Sequence, residues 1–550
     1  MMCINMLKRR MRMRRWLGVF AMIVLIAASI PALAEEKPLY PIRENGLWGY
    51  MNRQGETVIP AQWGQTWPFD GDTALVSTFQ HDMYMDIFGD GLIDRNGNYM
   101  IEPREHVLIE NDRYAYRICD ENEPDCEGFY DKASGFYLPP QPQYKYVMLW
   151  GEDGKGPVAV ENAQGFTGYL DRTTGETAIP FRYTGDSDDV CFRNGYARPA
   201  DEIIVVDAVG HELAMGTQMH LIDGLGRELT FENGISPIST VFNGRFIYSA
   251  TNPVSEETED QEPDDGDAYL GNGEKIIPPY NSIDALTGEK TEMPDWYTSS
   301  NEDSFAGLGI AAVDGTMLSE PNPDLWHIWE PDSDGMLCIL ADTESGSLCG
   351  HMDLDGNVIV PPRYDILTGG SIPRYSFSNG YAVIENWEES DPDSSRWVIL
   401  DTAGNEIFSR PGYGADDIRF FLDDGGVLED GLLWYSIKKT DETGGHAWYG
   451  YFGLMKIQDG KAEFLTEPVF EQHIGGIIQS EDLSDRVDFA EGLHPVRING
   501  QWGYINKRAE MVIQPVWDEA ASFHDGLALV EKNGKLSYID HDGSVVWQEK

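Results

Sequence analysis

The chain has 550 residues and sets 93 Asp and Glu against 40 Lys and Arg, a formal net charge of −53. A field of that sign repels polyanions at long range, which excludes nucleic acid and anionic lipid as favoured partners. Six cysteines are too few to staple a chain of this length, and the chain is large enough to bury a substantial core without them.

Residues 1–34 read as a signal peptide. Lys8, Arg9, Arg10, Arg12, Arg14 and Arg15 form a basic n-region, an uncharged stretch runs from Trp16 to Ile30, and Ala32-x-Ala34 suits signal peptidase. Cleavage after Ala34 would give a secreted or extracytoplasmic protein. An uncleaved anchor is the competing reading, because the apolar run is nearly long enough to span a bilayer. Cys3 precedes the basic cluster and marks no lipid attachment. No later segment approaches a span, so no membrane insertion is expected after cleavage. Losing residues 1–34, with six basic and no acidic residues, takes the formal charge to −59.

From 35 to 230 a cassette recurs. Its first copy runs Asn45-Gly46, Trp48-Gly49-Tyr50-Met51-Asn52, Gly55, Val58-Ile59-Pro60. Related copies centre on Gly91-Leu92-Ile93-Asp94, Gly128-Phe129-Tyr130-Asp131 and Gly168-Tyr169-Leu170-Asp171, with His220-Leu221-Ile222-Asp223 weaker. Asn-Gly between apolar runs predicts a type I′ hairpin turn, since both central residues need positive φ. Asp or Asn three residues before glycine predicts a second turn, in which the side chain caps nearby amides. The proline that follows ends a strand or marks an edge, because it cannot donate to a ladder. Each unit therefore reads as a short antiparallel meander.

Residues 231–330 are degenerate. Ser255 to Asp267 is an acidic run read as a solvated loop insertion, while Ile276-Ile277-Pro278-Pro279-Tyr280 still resembles a closing strand. From 331 to 550 the cassette returns at Gly350-His351-Met352-Asp353, at Val398-Ile399-Leu400-Asp401 and in two well-matched final copies. Those are Trp502-Gly503-Tyr504-Ile505-Asn506 with Val512-Ile513-Gln514-Pro515, and Ser537-Tyr538-Ile539-Asp540 with Gly543. Phe192, Phe377, Phe489 and Phe523 each stand three residues before a glycine that opens an apolar step. Smaller acidic loops are expected at Glu385–Ser395 and Asp441–Gly445. The expected fold is all-β: a tandem array of short antiparallel meander or hairpin units, solenoid-like or propeller-like, behind an N-terminal signal helix. One continuous array with loop excursions is favoured over separate domains.

Trp-Gly-Tyr followed by an apolar residue and Asn or Asp, a turn glycine and Val-Ile-Pro, after Phe-x-x-Gly-Leu-Ala-x-Val, resembles the WG (tryptophan-glycine) β-repeat proteins. The resemblance is strong at 39–60 and 487–547 and weaker at 90–103, 127–140, 168–183 and 349–364; only Trp48-Gly49 and Trp502-Gly503 keep the naming dipeptide. It implies repeats of a type common and often exported in bacteria, acting as binding or scaffold modules. It brings no catalytic residues with it.

Little catalytic chemistry stands out. His211-Glu212 opens like a zinc-protease motif, but Met215 replaces the second histidine. Asp353-Leu354-Asp355-Gly356-Asn357 and Asp540-His541-Asp542-Gly543 alternate oxygen ligands as a calcium loop does, yet both fall on the repeat's own turn and lack the later Glu. Trp48, Trp63, Trp67, Trp326, Trp329 and Trp387 could fill cores or stack on sugars; Trp63, Trp67 and Trp329, outside the repeat's strand positions, are the ligand-binding candidates. Cys119 with Cys126 and Cys338 with Cys349 are candidate disulfide pairs, leaving Cys191 buried or reactive. No cofactor or metal motif appears. The function expected is a non-enzymatic exported scaffold that binds a protein or polysaccharide at the envelope or outside the cell. The alternative is an extracellular polysaccharide hydrolase using loop carboxylates.

Overall fold

The structure is a computed structural model that describes residues 38–78, 89–120, 122–123, 125–149, 151–185, 187–206, 212–231, 235–251, 281–284, 290–292, 305–344, 346–365, 376–388, 391–411, 418–420, 427–437, 451–471 and 489–550. The expected signal segment and the acidic run from Ser255 to Asp267 lie outside them, as do Ile276–Tyr280 and Asp441–Gly445. Among the described residues regular structure is nearly all antiparallel strand. The helix described there is limited to Ser187–Val190 and the short turns Glu429–Gly431 and Ala490–Gly492.

Local chemistry explains the strands. Asn45 and Gly46, Asn499 and Gly500, and Asn533 and Gly534 all have positive φ, the backbone that a type I′ turn demands. After each hairpin comes the second turn. Asn52 Oδ1 accepts from the amides of Gln54 and Glu56, Asp353 Oδ1 from Asp355 and Asn357, and Asp540 Oδ1 from Asp542 and Ser544, all at 2.9–3.0 Å. The side chain thus satisfies amides that would otherwise meet water.

The glycine of the cassette has a separate cause. Trp48 pairs with Trp63, Tyr50 with Ile59 and Met51 with Thr57, and the same register holds for Trp502–Trp517, Tyr504–Ile513 and Ile505–Met511. Between these pairs one residue of one strand, Gly49 or Gly503, faces three of the other, so the proline-bearing strand bulges. The bulge falls over the glycine: a Cβ on Gly49 would lie 2.5 Å from Ile59 O, and one on Gly503 2.5 Å from Ile513 O. Gly350 meets Val360 O in the same way. No other residue fits.

Among the described residues eleven sheets follow one another, at 39–63, 65–101, 107–141, 144–183, 196–223, 235–312, 325–365, 377–411, 418–464, 493–517 and 519–548. A buried apolar cluster joins each to the next. Tyr50, Ile59 and Trp63 of the first pack on Ala74, Val76 and Ile93 of the second; Leu493, Trp502 and Tyr504 of the tenth pack on Ala528, Val530 and Ile539 of the eleventh. An eleventh cluster then joins the last sheet to the first, with Leu527 and Tyr538 on Tyr40, Ile42 and Met51. The series of junctions closes on itself. Tyr40 Oη donates to Asp525 O at 2.6 Å and Tyr538 Oη to Pro41 O at 3.0 Å, which fastens the closure in both directions.

A twelfth sheet stands apart from this series. Its strands Glu212–Met219, Ala200–Val206, Asn281–Asp284 and Lys290–Glu292 are hydrogen-bonded in that order. The first two form a hairpin inserted between the two strands of the fifth sheet, and the last two come from an insertion in the sixth. The degenerate region thus continues the array and adds to it. Where an acidic loop is expected at Glu385–Ser395, the described residues 385–388 and 391–395 are strand: Tyr381–Glu388 pairs with Asp391–Asp401 as far out as Glu388 opposite Asp391. Pairing begun by Tyr381 to Ile384 propagates outward, because a ladder needs backbone groups and not apolar side chains.

Candidate functional site

The side chains at the ends of the strands form a network running from sheet to sheet. Asp153, Asp334, Glu471 and Glu491 accept from the turn amides of Asn194, Gly380, Gly500 and Gly526, each in the next unit or two along the chain. Asn194 and Asn379, which open turns after Phe192 and Phe377, also donate through Nδ2 to Val241 O and Val427 O of the following sheet. The residue after the turn acid is often basic and reaches across a junction. Lys132 binds Asp70, Lys507 binds Asp430, His541 faces Glu491 at 2.9 Å, and the Arg53 guanidinium lies against Gly526. These cations recur at one repeat position, a signal readable in the sequence once the units are aligned.

Two clusters on this network are buried. Arg172 donates to Asp131 Oδ2 at 2.7 Å, to Gly156 O at 3.1 Å and to Glu152 Oε2. Glu152 Oε1 is buried without a hydrogen-bond partner. Burial pushes the Glu152 carboxyl up to about 7, against the opposing pull of Arg172. In the second cluster His220 Nδ1 lies 2.8 Å from Glu228 Oε1 and Nε2 lies 3.1 Å from Asp201 Oδ2, which also pairs with Arg182. Burial disfavours the charge on His220, but the two carboxylates outweigh it and raise its pKa to about 9. Both clusters tie neighbouring sheets, and each carboxylate pairs with Arg172, Arg182 or His220.

The three tryptophans proposed from sequence do not gather. Trp63 is a core residue, 1% exposed, with Nε1 donating to Tyr99 Oη at 2.9 Å, which corrects its placement on the surface. The bulge brings it into register opposite Trp48. Trp67 and Trp329 are half-buried, packed on the clusters between the second and third and the seventh and eighth sheets. The Trp329 indole N–H is buried without a partner. Trp326, on strand Leu325–Ile328, faces water at 67% exposed. Trp48 is buried, and Trp387 lies on strand Tyr381–Glu388.

All five cysteines of the described residues are thiols. Cys191 is buried, with Sγ 3.4 Å from Met148 O, which answers the question of its environment. Cys119 Sγ contacts Glu127 Oε1 at 3.7 Å. Glu212 begins a strand, and His211 lies outside the described residues. The turn acids of the two calcium-like loops are bound to their own backbone amides, and partial burial of Asp353 is outweighed by hydrogen bonds from Asn357 and Asp355 that hold its carboxyl below the usual range. No helix among the described residues is long and apolar enough to cross a membrane.

A family model described as WG containing repeat matches residues 48–78, 350–386 and 502–535. No curated protein matches the chain. Among solved structures, the chain is similar to one titled a crystal structure of the eukaryotic initiation factor, at 9% identity and a TM-score of 0.33, over 84% of this chain and 93% of that one. It is similar to the computationally designed Ika8 protein at 10% identity and a TM-score of 0.25, over 80% and 95%. BamB from Moraxella catarrhalis matches at 11% identity and a TM-score of 0.21, over 68% and 90%.

Proposed function

We propose that the chain, which carries WG-type repeats at 48–78, 350–386 and 502–535, is an exported scaffold that works without catalysis, binding a protein or polysaccharide at the cell envelope or outside the cell. One observation carries the reading. The residues that recur with the repeat are engaged in holding it together: the aromatics pack between sheets, and the turn acids cap amides. What departs from the repeat is left to meet a partner. The twelfth sheet and Trp326 are the two departures with a defined place. Export rests on Lys8 to Ala34 alone. The closed series of junctions favours a propeller-like ring over an open solenoid, and a ring presents its sheet ends as two broad faces.

The test offers the purified chain to arrays of cell-wall glycans and envelope-derived peptides, scoring both retention and turnover. Retention without turnover, weakened at least tenfold by Trp326→Ala, supports the proposal. Turnover abolished by substitution of a single carboxylate would replace the scaffold with the hydrolase.

A further inference from the structure

The seventh sheet departs from the repeat at a chemically reactive place. Strands Leu337–Thr343 and Gly346–Met352 pair Cys338 with His351 and Leu340 with Cys349. Side chains two apart on a strand share a face, so Cys338 and Cys349 are diagonal neighbours on one face of one hairpin. Both are buried, at 8% and 1% exposed, in the cluster that joins the seventh sheet to the eighth. Both side chains belong to one buried cluster, so the two thiols face the same junction. In the shared register Cys349 stands where other units have Trp48 and Trp502, and Cys338 where they have Pro41 and Pro495. Two cysteines thus occupy the diagonal that holds proline and tryptophan in the first and tenth sheets.

We propose that Cys338 and Cys349 are a redox-active dithiol that closes to a cross-strand disulfide within the seventh sheet, with a low-molecular-weight disulfide as oxidant. The thiolate of one cysteine attacks the oxidant, forming a mixed disulfide and expelling one small thiol. The second thiolate attacks the protein-bound sulfur, forming the Cys338–Cys349 bond and expelling the other small thiol. The two protons lost by the cysteines end on the two small thiols, which also carry the two electrons. Interaction with Cys349, then burial, holds the Cys338 thiol well above its ordinary range, so exchange requires the hairpin to open or proceeds as the sheet folds.

The other pair is placed differently. Cys119 lies opposite Glu127, and Cys126 is the chain neighbour of Glu127. Strand alternation sends the side chain of Cys126 to the other face of the sheet. The inference does not rest on the binding role, and its test needs no partner.

The full chain is folded with oxidised and reduced glutathione, or with a strong dithiol reductant, then alkylated, cut with a protease specific for Glu and Asp, and weighed without reduction. Asp342 and Glu344 lie between the two cysteines, so the bridge appears as two linked peptides lighter than their sum by two hydrogens. That product, with Cys119, Cys126 and Cys191 alkylated, is the expected result. Melting of the oxidised protein should rise by several degrees over the reduced, and the rise should vanish in Cys338→Ala. Cys338 and Cys349 found alkylated, or each capped by glutathione, overturns the proposal, as does a bridge from either to another cysteine.

Discussion

Arg43 and Glu549, 506 positions apart in sequence, form a two-pronged ion pair, Nε to Oε1 at 2.8 Å and Nη2 to Oε2 at 2.9 Å. Glu549 also accepts from the Leu536 amide. The pair lies beside the junction where Tyr538 meets Tyr40, and it bonds the first strand of the ring to the chain's last residues. A bidentate geometry gives an exposed pair more than the usual near-zero worth. Arg43→Ala should cost about 1 kcal/mol at low salt, with a double-mutant cycle on Glu549→Ala attributing most of it to the pair. The hydrogen bond from Arg43 is the largest cause of a lowered Glu549 pKa. A lowered carboxylate pKa stabilises the fold above the unfolded value and is lost as pH falls through the folded one. The coupling should therefore persist at neutral pH and disappear below about pH 4.

Two glycines of the tenth sheet separate two causes of glycine use. Gly503→Ala drives a Cβ into Ile513 O, at 2.5 Å, and should cost about 3 kcal/mol in urea unfolding. Gly500→Ala has open space but a φ of +76°, so its penalty is conformational, about 1 kcal/mol. Equal losses would refute the bulge as the reason for the motif's glycine.

His220 gives the stability a basic limb. Its folded pKa, raised to about 9 from 6.5, means a contribution that is complete below pH 6.5 and lost as pH rises towards 9. Asp201 and Glu228 are both held low. For Asp201, burial is outweighed by His220 and Arg182; for Glu228, the His220 hydrogen bond leads. Their contributions stand above pH 4 and fail below it. Melting should drop by a few degrees between pH 7 and 9, and His220→Gln should flatten that limb. Arg182 stays charged throughout and keeps its hold on Asp201.

The turn acids predict an absence of response. Asp353 and Asp540 already bind two backbone amides each, so melting in millimolar calcium and in chelator should coincide. A rise with calcium that Asp353→Asn removes would make the loop a cation site.

Local features were legible from residue types alone. Asn45-Gly46 and Asp353 to Gly356 specify turns through φ preferences and side-chain caps that operate over four or five residues. Trp63 was misplaced because the bulge that carries it opposite Trp48 depends on how two strands pair, and residue spacing does not reveal that. The twelfth sheet was invisible for a related reason: Ile203 to Val206 pair with Asn281 to Asp284, from a separate insertion. Trp326 was hidden by an irregularity of the same kind: the register shifts between Leu325 and His327, so Leu325 and Ile328 are both buried and Trp326 and His327 between them face out. Closure of the array depends on Tyr40, Asp525 and Tyr538, which nothing short of the folded chain brings together.

Closure is also the claim most exposed to a single measurement. Tyr538→Ala removes the ring stacked edge-on against Tyr40, 5.5 Å away, together with the bond to Pro41 O, from a position 497 residues distant in sequence. Hydrogen exchange followed by mass spectrometry should show faster exchange in Leu39–Glu44 of the first sheet as well as in the last. Acceleration confined to residues near 538, with Leu39–Glu44 unchanged, would mean that the two ends of the array do not meet.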